Sequence, residues 1–153
     1  MNKKAGIIFM GTPHFAVPAL KALHNNDQNI ALVITQPDRP KGRGRKLTPS
    51  PVKETAINLG YSVIQPSSVR TAEFSNYIEK QAPGFIVVVA FGHILPKNIL
   101  TIPQIATINI HASLLPKYRG PAPIQWAIIN EEKETGVTTM LMDEGMDTGD
   151  ILL

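Results

Sequence analysis

Cysteine is absent from the 153 residues, which excludes disulfides and thiolate metal sites and is compatible with a reducing compartment. Long apolar runs are missing as well. The longest, Phe85 to Phe91, is far shorter than the roughly 20 residues that a membrane-spanning helix needs. At the N-terminus, Asn2-Lys3-Lys4 leads into only six apolar or small residues before Gly11, too few for a secretory leader. A cytoplasmic chain with no membrane partner is therefore expected. Internal repeats and low-complexity tracts are lacking, and no G-x-G-x-x-G follows the first strand-like run, so a nucleotide cofactor is not indicated.

What is present suits one globular domain with a real core: 43% of residues are hydrophobic and 18% charged. The formal charge of +3 is local. Between Asp38 and Lys46 lie Arg39, Lys41, Arg43, Arg45 and Lys46. Without that stretch, ten basic residues face eleven acidic ones. The basic character belongs to one loop, where a polyanion-coating protein would spread it.

Strand-like and helix-like stretches alternate along the chain. Ala5 to Met10 reads as a buried strand closed by Gly11-Thr12-Pro13. Pro18 suits the first turn of a helix with Leu20 and Leu23 inward. Ile30 to Thr35 reads as a strand, and residues 36–51, rich in proline and glycine, as an irregular loop. Val52 to Leu59 is expected to be helical, Ser62 to Gln65 extended, and Thr71 or Ala72 to Gln81 a helix with Phe74, Tyr77 and Ile78 inward. Phe85 to Ala90, apolar on both faces, should be the central strand. Thr107 to His111 and Val137 to Met142 are further strands around a helix from Pro121 to Asn130. Ile151-Leu152-Leu153 looks like the start of another strand. The pattern predicts an α/β fold, a mostly parallel sheet with helices on both faces.

Open α/β sheets bind ligands beyond the carboxyl ends of their strands, and Gly11-Thr12, Phe91-Gly92 and His111 to Ser113 all fall at such ends. Asn109 and His111 are two apart in one strand and so share a face. Polar groups there cost about 1–3 kcal/mol each unless satisfied, so a hydrogen-bonded core histidine is weighed against a functional one. A strand end followed by an exposed Ser-Leu-Leu-Pro loop favours function. An amide, an imidazole and a carboxylate can together polarise a carbonyl and move a proton, which makes Asp147 the natural third member and acyl transfer the natural chemistry.

The acidic stretch Asp143 to Asp150 does not have calcium-loop spacing, and no metal site is expected. Its glycines, Gly145 and Gly149, suggest a backbone that approaches a planar ligand closely. His14 and His24 read as solvated surface groups, and His93 as structural or lining the site. In the basic loop, a mobile solvated charge run is the bland alternative to contact with a phosphate backbone.

Taken together, the segments Phe9 to Pro18, Thr35 to Pro40, Leu47 to Lys53, Phe91 to Pro96, Asn109 to Gly120 and Asp143 to Leu152 resemble the folate-dependent formyltransferase family. That resemblance implies a Rossmann-like formyltransferase fold and 10-formyltetrahydrofolate as donor. Gln36-Pro37-Asp38-Arg39-Pro40, with the Leu47 to Lys53 stretch, favours the branch acting on tRNA. It implies the methionine α-amino group of initiator methionyl-tRNA as acceptor, in translation initiation. By likeness, Asn109, His111 and Asp147 are catalytic. Phe91, Gly92, Ile94 and Leu95, then Ser113, Leu114, Leu115 and Pro116, and finally Gly145, Met146 and Thr148 contact the folate. Arg39, Lys41, Arg43, Arg45 and Lys46 are the expected tRNA contacts.

Two residues depart from the family pattern: His14 stands where an acidic residue is expected and Phe91 where tyrosine is usual. The resemblance further implies that residues 1–153 are a truncated catalytic domain, monomeric and lacking a C-terminal β-barrel that helps grip tRNA. Two alternatives stay open: a sister formyltransferase acting on glycinamide ribonucleotide or an amino sugar, and a non-catalytic RNA- or folate-binding domain.

Overall fold

Five-residue apolar runs make the heart of the sheet. β1 (Ile7–Gly11) and β2 (Ile30–Ile34) pair in parallel, and in a computed structural model that describes residues 5–41 and 44–153, without the Lys41 side chain, β1 is buried along its whole length. The six-stranded sheet runs β5 (Val63–Ile64), β2, β1, β6 (Phe85–Val89), β7 (Ala106–His111), β8 (Thr138–Leu141). All neighbours are parallel except β7 and β8, which are antiparallel. The expected mostly parallel α/β sheet is what the chain forms, and Phe85 to Val89 lies inside it as its apolar composition on both faces requires.

Helices cover both faces. On one, Ile8, Met10, Ile86 and Val88 pack with Phe74 and Ile78 of α3 (Ala72–Lys80) and Ile99 of α4 (Lys97–Leu100). On the other, Phe9, Val87 and Val89 meet Leu20 of α1 (Val17–Asn25) and Val52 and Ala56 of α2 (Pro51–Asn58). Each fully buried side chain of this size contributes about 1.5–3 kcal/mol. The ends are set locally. Ser50 Oγ accepts from Lys53 N to cap α2, Thr71 Oγ1 accepts from Phe74 N to cap α3, and Gly60, at φ +81°, follows α2 in the left-handed region.

From β1 the chain moves outward to β2 and β5, then returns to β6 on the other side of β1. The strand order therefore reverses between β1 and β6, and a crevice opens at their carboxyl ends. There Thr12 Oγ1 donates to the Phe91 carbonyl at 2.9 Å, so the two predicted strand-end segments touch.

Several expectations need correction. Residues 36–51 are not irregular throughout: β3 (Arg39–Lys41) and β4 (Lys46–Thr48) form an antiparallel hairpin. Proline tolerates an edge strand, where its missing N–H breaks no ladder. Tyr77 is 40% exposed while Ser75 is buried, because Phe74 and Ile78, four apart, already fill the inner face of α3. His24 is not a free surface group: its Nδ1 lies 2.7 Å from Tyr61 Oη. α4 had no helical pattern long enough to be read. At Ile151, where a strand was expected to start, there is an isolated antiparallel bridge to Met140, with Leu152 N donating to Thr139 O. Among the described residues no helix is long and apolar enough to cross a membrane.

Candidate active site

β7 carries Asn109 and His111 on one face to the carboxyl edge of the sheet, both largely buried. The loop after β8 brings Asp147 to meet them. Asn109 Nδ2 donates to Asp147 Oδ1 at 3.2 Å, while Asp147 Oδ2 accepts from Gly120 N at 2.8 Å and lies 3.5 Å from His111 Nδ1. His111 Nε2 donates to the Tyr118 carbonyl at 2.8 Å. Among the described residues no buried side-chain nitrogen or oxygen lacks a partner. The polar groups in this apolar strand thus satisfy one another, which removes a desolvation cost of about 1–3 kcal/mol apiece.

The acidic stretch divides its carboxylates between distinct tasks. Asp143 Oδ1 accepts from Gly145 N at 3.0 Å and from Thr148 Oγ1 at 2.8 Å, tying off a turn. Glu144 pairs with Lys97 at 2.5 Å and keeps the lysine charged above its usual range, through hydrogen bonding first and Coulomb attraction second. Asp147 sits at φ +52°, a left-handed conformation that aspartate tolerates better than most residues. The glycines are required by the turn itself. A Cβ on Gly145 would lie 2.0 Å from Thr148 Oγ1, and one on Gly149 would lie 1.9 Å from the Leu141 carbonyl.

The remaining expected folate contacts spread around the crevice. Phe91 and Leu95 belong to the core, so only their backbone is left for a ligand, whereas Ile94 is 70% exposed and Gly92 is open at φ +87°. His93 stacks beside Phe91, with ring centroids 5.3 Å apart. Ser113 is fully enclosed, its Oγ donating to Lys117 O at 2.6 Å; it shapes the loop, while Leu114 and Pro116 are exposed and Leu115 is half-buried. Met146 and Thr148 are exposed. A cleft of about 310 Å³ runs from Gly92, His93 and Ile94 to Ser67, Ser68 and Arg70. Arg70 escaped sequence reasoning because it stands in a connecting segment with no motif around it.

Four of the expected tRNA contacts lie along the hairpin. Arg39, Arg45 and Lys46 are exposed on the hairpin, Lys41 lies in β3, and Arg43 is outside the described residues. The hairpin base is pinned by polar groups. Asp38 accepts from Lys53 Nζ and from Gln65 Nε2, each at 2.7 Å, and Arg39 donates to Gln36 Oε1. Lys53 first and Gln65 second hold the Asp38 carboxyl below its ordinary range.

An amide, an imidazole and a carboxylate at the mouth of a Rossmann-like sheet define a site for transfer of a small acyl group. Residues 3–153 match the formyl transferase family, and the chain belongs to it. Its relatives include the methionyl-tRNA formyltransferase of Pelotomaculum thermopropionicum, 59% identical over 147 residues that cover 96% of this chain and 47% of that protein. The methionyl-tRNA formyltransferase of Clostridium novyi is 61% identical over 148 residues, covering 96% of this chain and 48% of that protein. The chain thus spans about half the length of the curated relatives it matches. Among solved structures, phosphoribosylglycinamide formyltransferase from Bacillus halodurans superposes with a TM-score of 0.76 at 24% identity, over 97% of this chain and 77% of its own. That likeness concerns the fold.

Proposed function

We propose that this chain is the catalytic portion of a methionyl-tRNA formyltransferase. It would transfer the formyl group of 10-formyltetrahydrofolate to the methionine α-amino group of initiator tRNA, in the cytoplasm, as a monomer. The observation that carries the reading is the meeting of Asn109, His111 and Asp147 at the strand edge, in a chain about 59% identical to curated enzymes of that name. The C-terminal β-barrel inferred from the resemblance lies outside these residues, and we expect it to add tRNA grip.

Each residue has a definable task. The second Asn109 Nδ2 hydrogen and the protonated imidazole stabilise the oxyanion that develops as the amine attacks the formyl carbon. Asp147 orients His111, balances its charge, and takes up the amine proton directly or through water; that proton would pass to the donor nitrogen as its bond to the formyl carbon breaks and tetrahydrofolate leaves. A flat ring would lie against exposed Gly92 and Ile94, with the exposed Met146 and Thr148 as further expected contacts. Phosphates of the acceptor would lie along Arg39, Lys41, Arg43, Arg45 and Lys46.

A formylation assay offering charged initiator tRNA beside glycinamide ribonucleotide and amino sugars tests the acceptor. Transfer to a small amine alone would overturn the tRNA reading. Asn109→Ala should lower kcat about 10²–10³-fold, as loss of one oxyanion donor does elsewhere. His111→Ala and Asp147→Ala should be at least as damaging, with folate binding by calorimetry retained.

A further inference from the structure

We propose that Glu132 is a positioning residue for His111, acting through Tyr118 to fix which ring nitrogen exchanges a proton. The inference rests on the catalytic reading of His111. A carbonyl oxygen can only accept, so the 2.8 Å contact with Tyr118 O requires a hydrogen on Nε2 in either charge state of the ring. Proton gain and loss then fall to Nδ1, the nitrogen facing Asp147 Oδ2 at 3.5 Å. A backbone carbonyl thereby sets the tautomer of the neutral ring and leaves Nδ1 to take the proton with which the imidazole acts.

That carbonyl is aimed by a turn with left-handed backbone at Tyr118 (φ +57°) and Gly120 (φ +85°). A tyrosine keeps such a conformation only where its surroundings over-determine it. Here the surroundings converge on one carboxylate. Tyr118 Oη donates to Glu132 Oε1 at 2.7 Å and accepts from Asn130 Nδ2 at 3.0 Å, while Lys117 Nζ reaches Glu132 Oε1 at 3.1 Å. Glu132 is anchored in turn at the end of α5 (Pro123–Ile129), its N–H donating to Ala127 O at 2.9 Å. The Tyr118 hydroxyl, and after it Lys117, hold the Glu132 carboxyl below its usual range, so the tether is charged at neutral pH. The turn meets the triad through two backbone groups, the Tyr118 carbonyl on His111 and the Gly120 N–H on Asp147, so the tether acts through the placement of both.

Nitrogen NMR of ¹⁵N-histidine-labelled protein, with His111 assigned by its loss in His111→Ala, reads the tautomer directly. The expected result is hydrogen on Nε2 in the unsubstituted chain and a mixed, averaged tautomer in Tyr118→Phe and Glu132→Ala. Glu132→Gln, which keeps an oxygen for the hydroxyl, should restore most of the unsubstituted signal. In parallel, kcat for formyl transfer should fall roughly ten- to a hundredfold in Tyr118→Phe and Glu132→Ala with the donor KM little changed, as misplacement of a reacting group does. The double variant should be no worse than either single one, since both act along one path. Hydrogen on Nδ1 in the unsubstituted chain, or an unaltered tautomer in both variants, would overturn the proposal. So would variants that lose only thermal stability and keep kcat per folded molecule. An unsubstituted chain that transfers no formyl group while its His111 signal responds as described supports the coupling and overturns the proposed function.

Discussion

Asp38 shows how far a single half-buried carboxylate can act. With Lys53 and Gln65 as donors its pKa lies below the ordinary 3.8, so the folded state binds its proton less readily than the unfolded chain does. The resulting stabilisation is fully present above that ordinary value and is lost as pH falls through the depressed one. The difference in melting temperature between the unsubstituted chain and Asp38→Asn should thus be constant from neutral pH to about 4 and shrink below it. A difference that persists undiminished at low pH would assign Asp38 no charge-linked role. At this scale the sequence was readable where a rule links spacing to direction. Asn109 and His111, two apart on a strand, share a face as alternation demands. The Tyr118 carbonyl was not readable, because every residue carries such an acceptor and only the turn decides which one faces a ring.

Elements were legible in proportion to their length and periodicity. β1, β2 and β6 are unbroken apolar runs, and α1 to α3 carry a proline, serine or threonine at their starts. The hairpin of β3 and β4 was not, since short charged strands around proline and glycine have no hydrophobic face to betray them. Its order makes the tRNA proposal more specific: the cations ride on a paired ribbon with a pinned base. Arg45→Glu should raise the KM for charged tRNA several-fold and reduce the salt slope of binding by about one, while folate affinity stays constant. Equal loss of both affinities would argue against a separate acceptor surface.

Across the whole molecule, the reversal of strand order between β1 and β6 explains why residues distant in sequence converge. Alternation of strands and helices made the sheet foreseeable, and its strand order followed only from the structure, since several orders fit the same alternation. Because β8 runs antiparallel it ends opposite Ile108, and the loop after it folds back to place Asp147 on Asn109 and His111. No periodicity announces that return; Asp147 was marked by the chemistry of an amide, imidazole and carboxylate set and by the resemblance.

Gln36 connects the hairpin with the crevice. Its backbone N–H donates to Thr12 Oγ1 at 3.3 Å, its carbonyl accepts from Gln65 at 2.7 Å, and its side chain holds Arg39. A methyl group on Gly92 would lie 2.3 Å from Gln36 Nε2, at a φ of +87° that already disfavours a side chain. Gly92→Ala should therefore displace the Gln36 amide, free the arginine guanidinium, and weaken the grip on charged tRNA together with folate affinity in paired titrations. One crowded contact thus couples the hairpin to the crevice, and variation on either side is constrained by what the other has to accommodate.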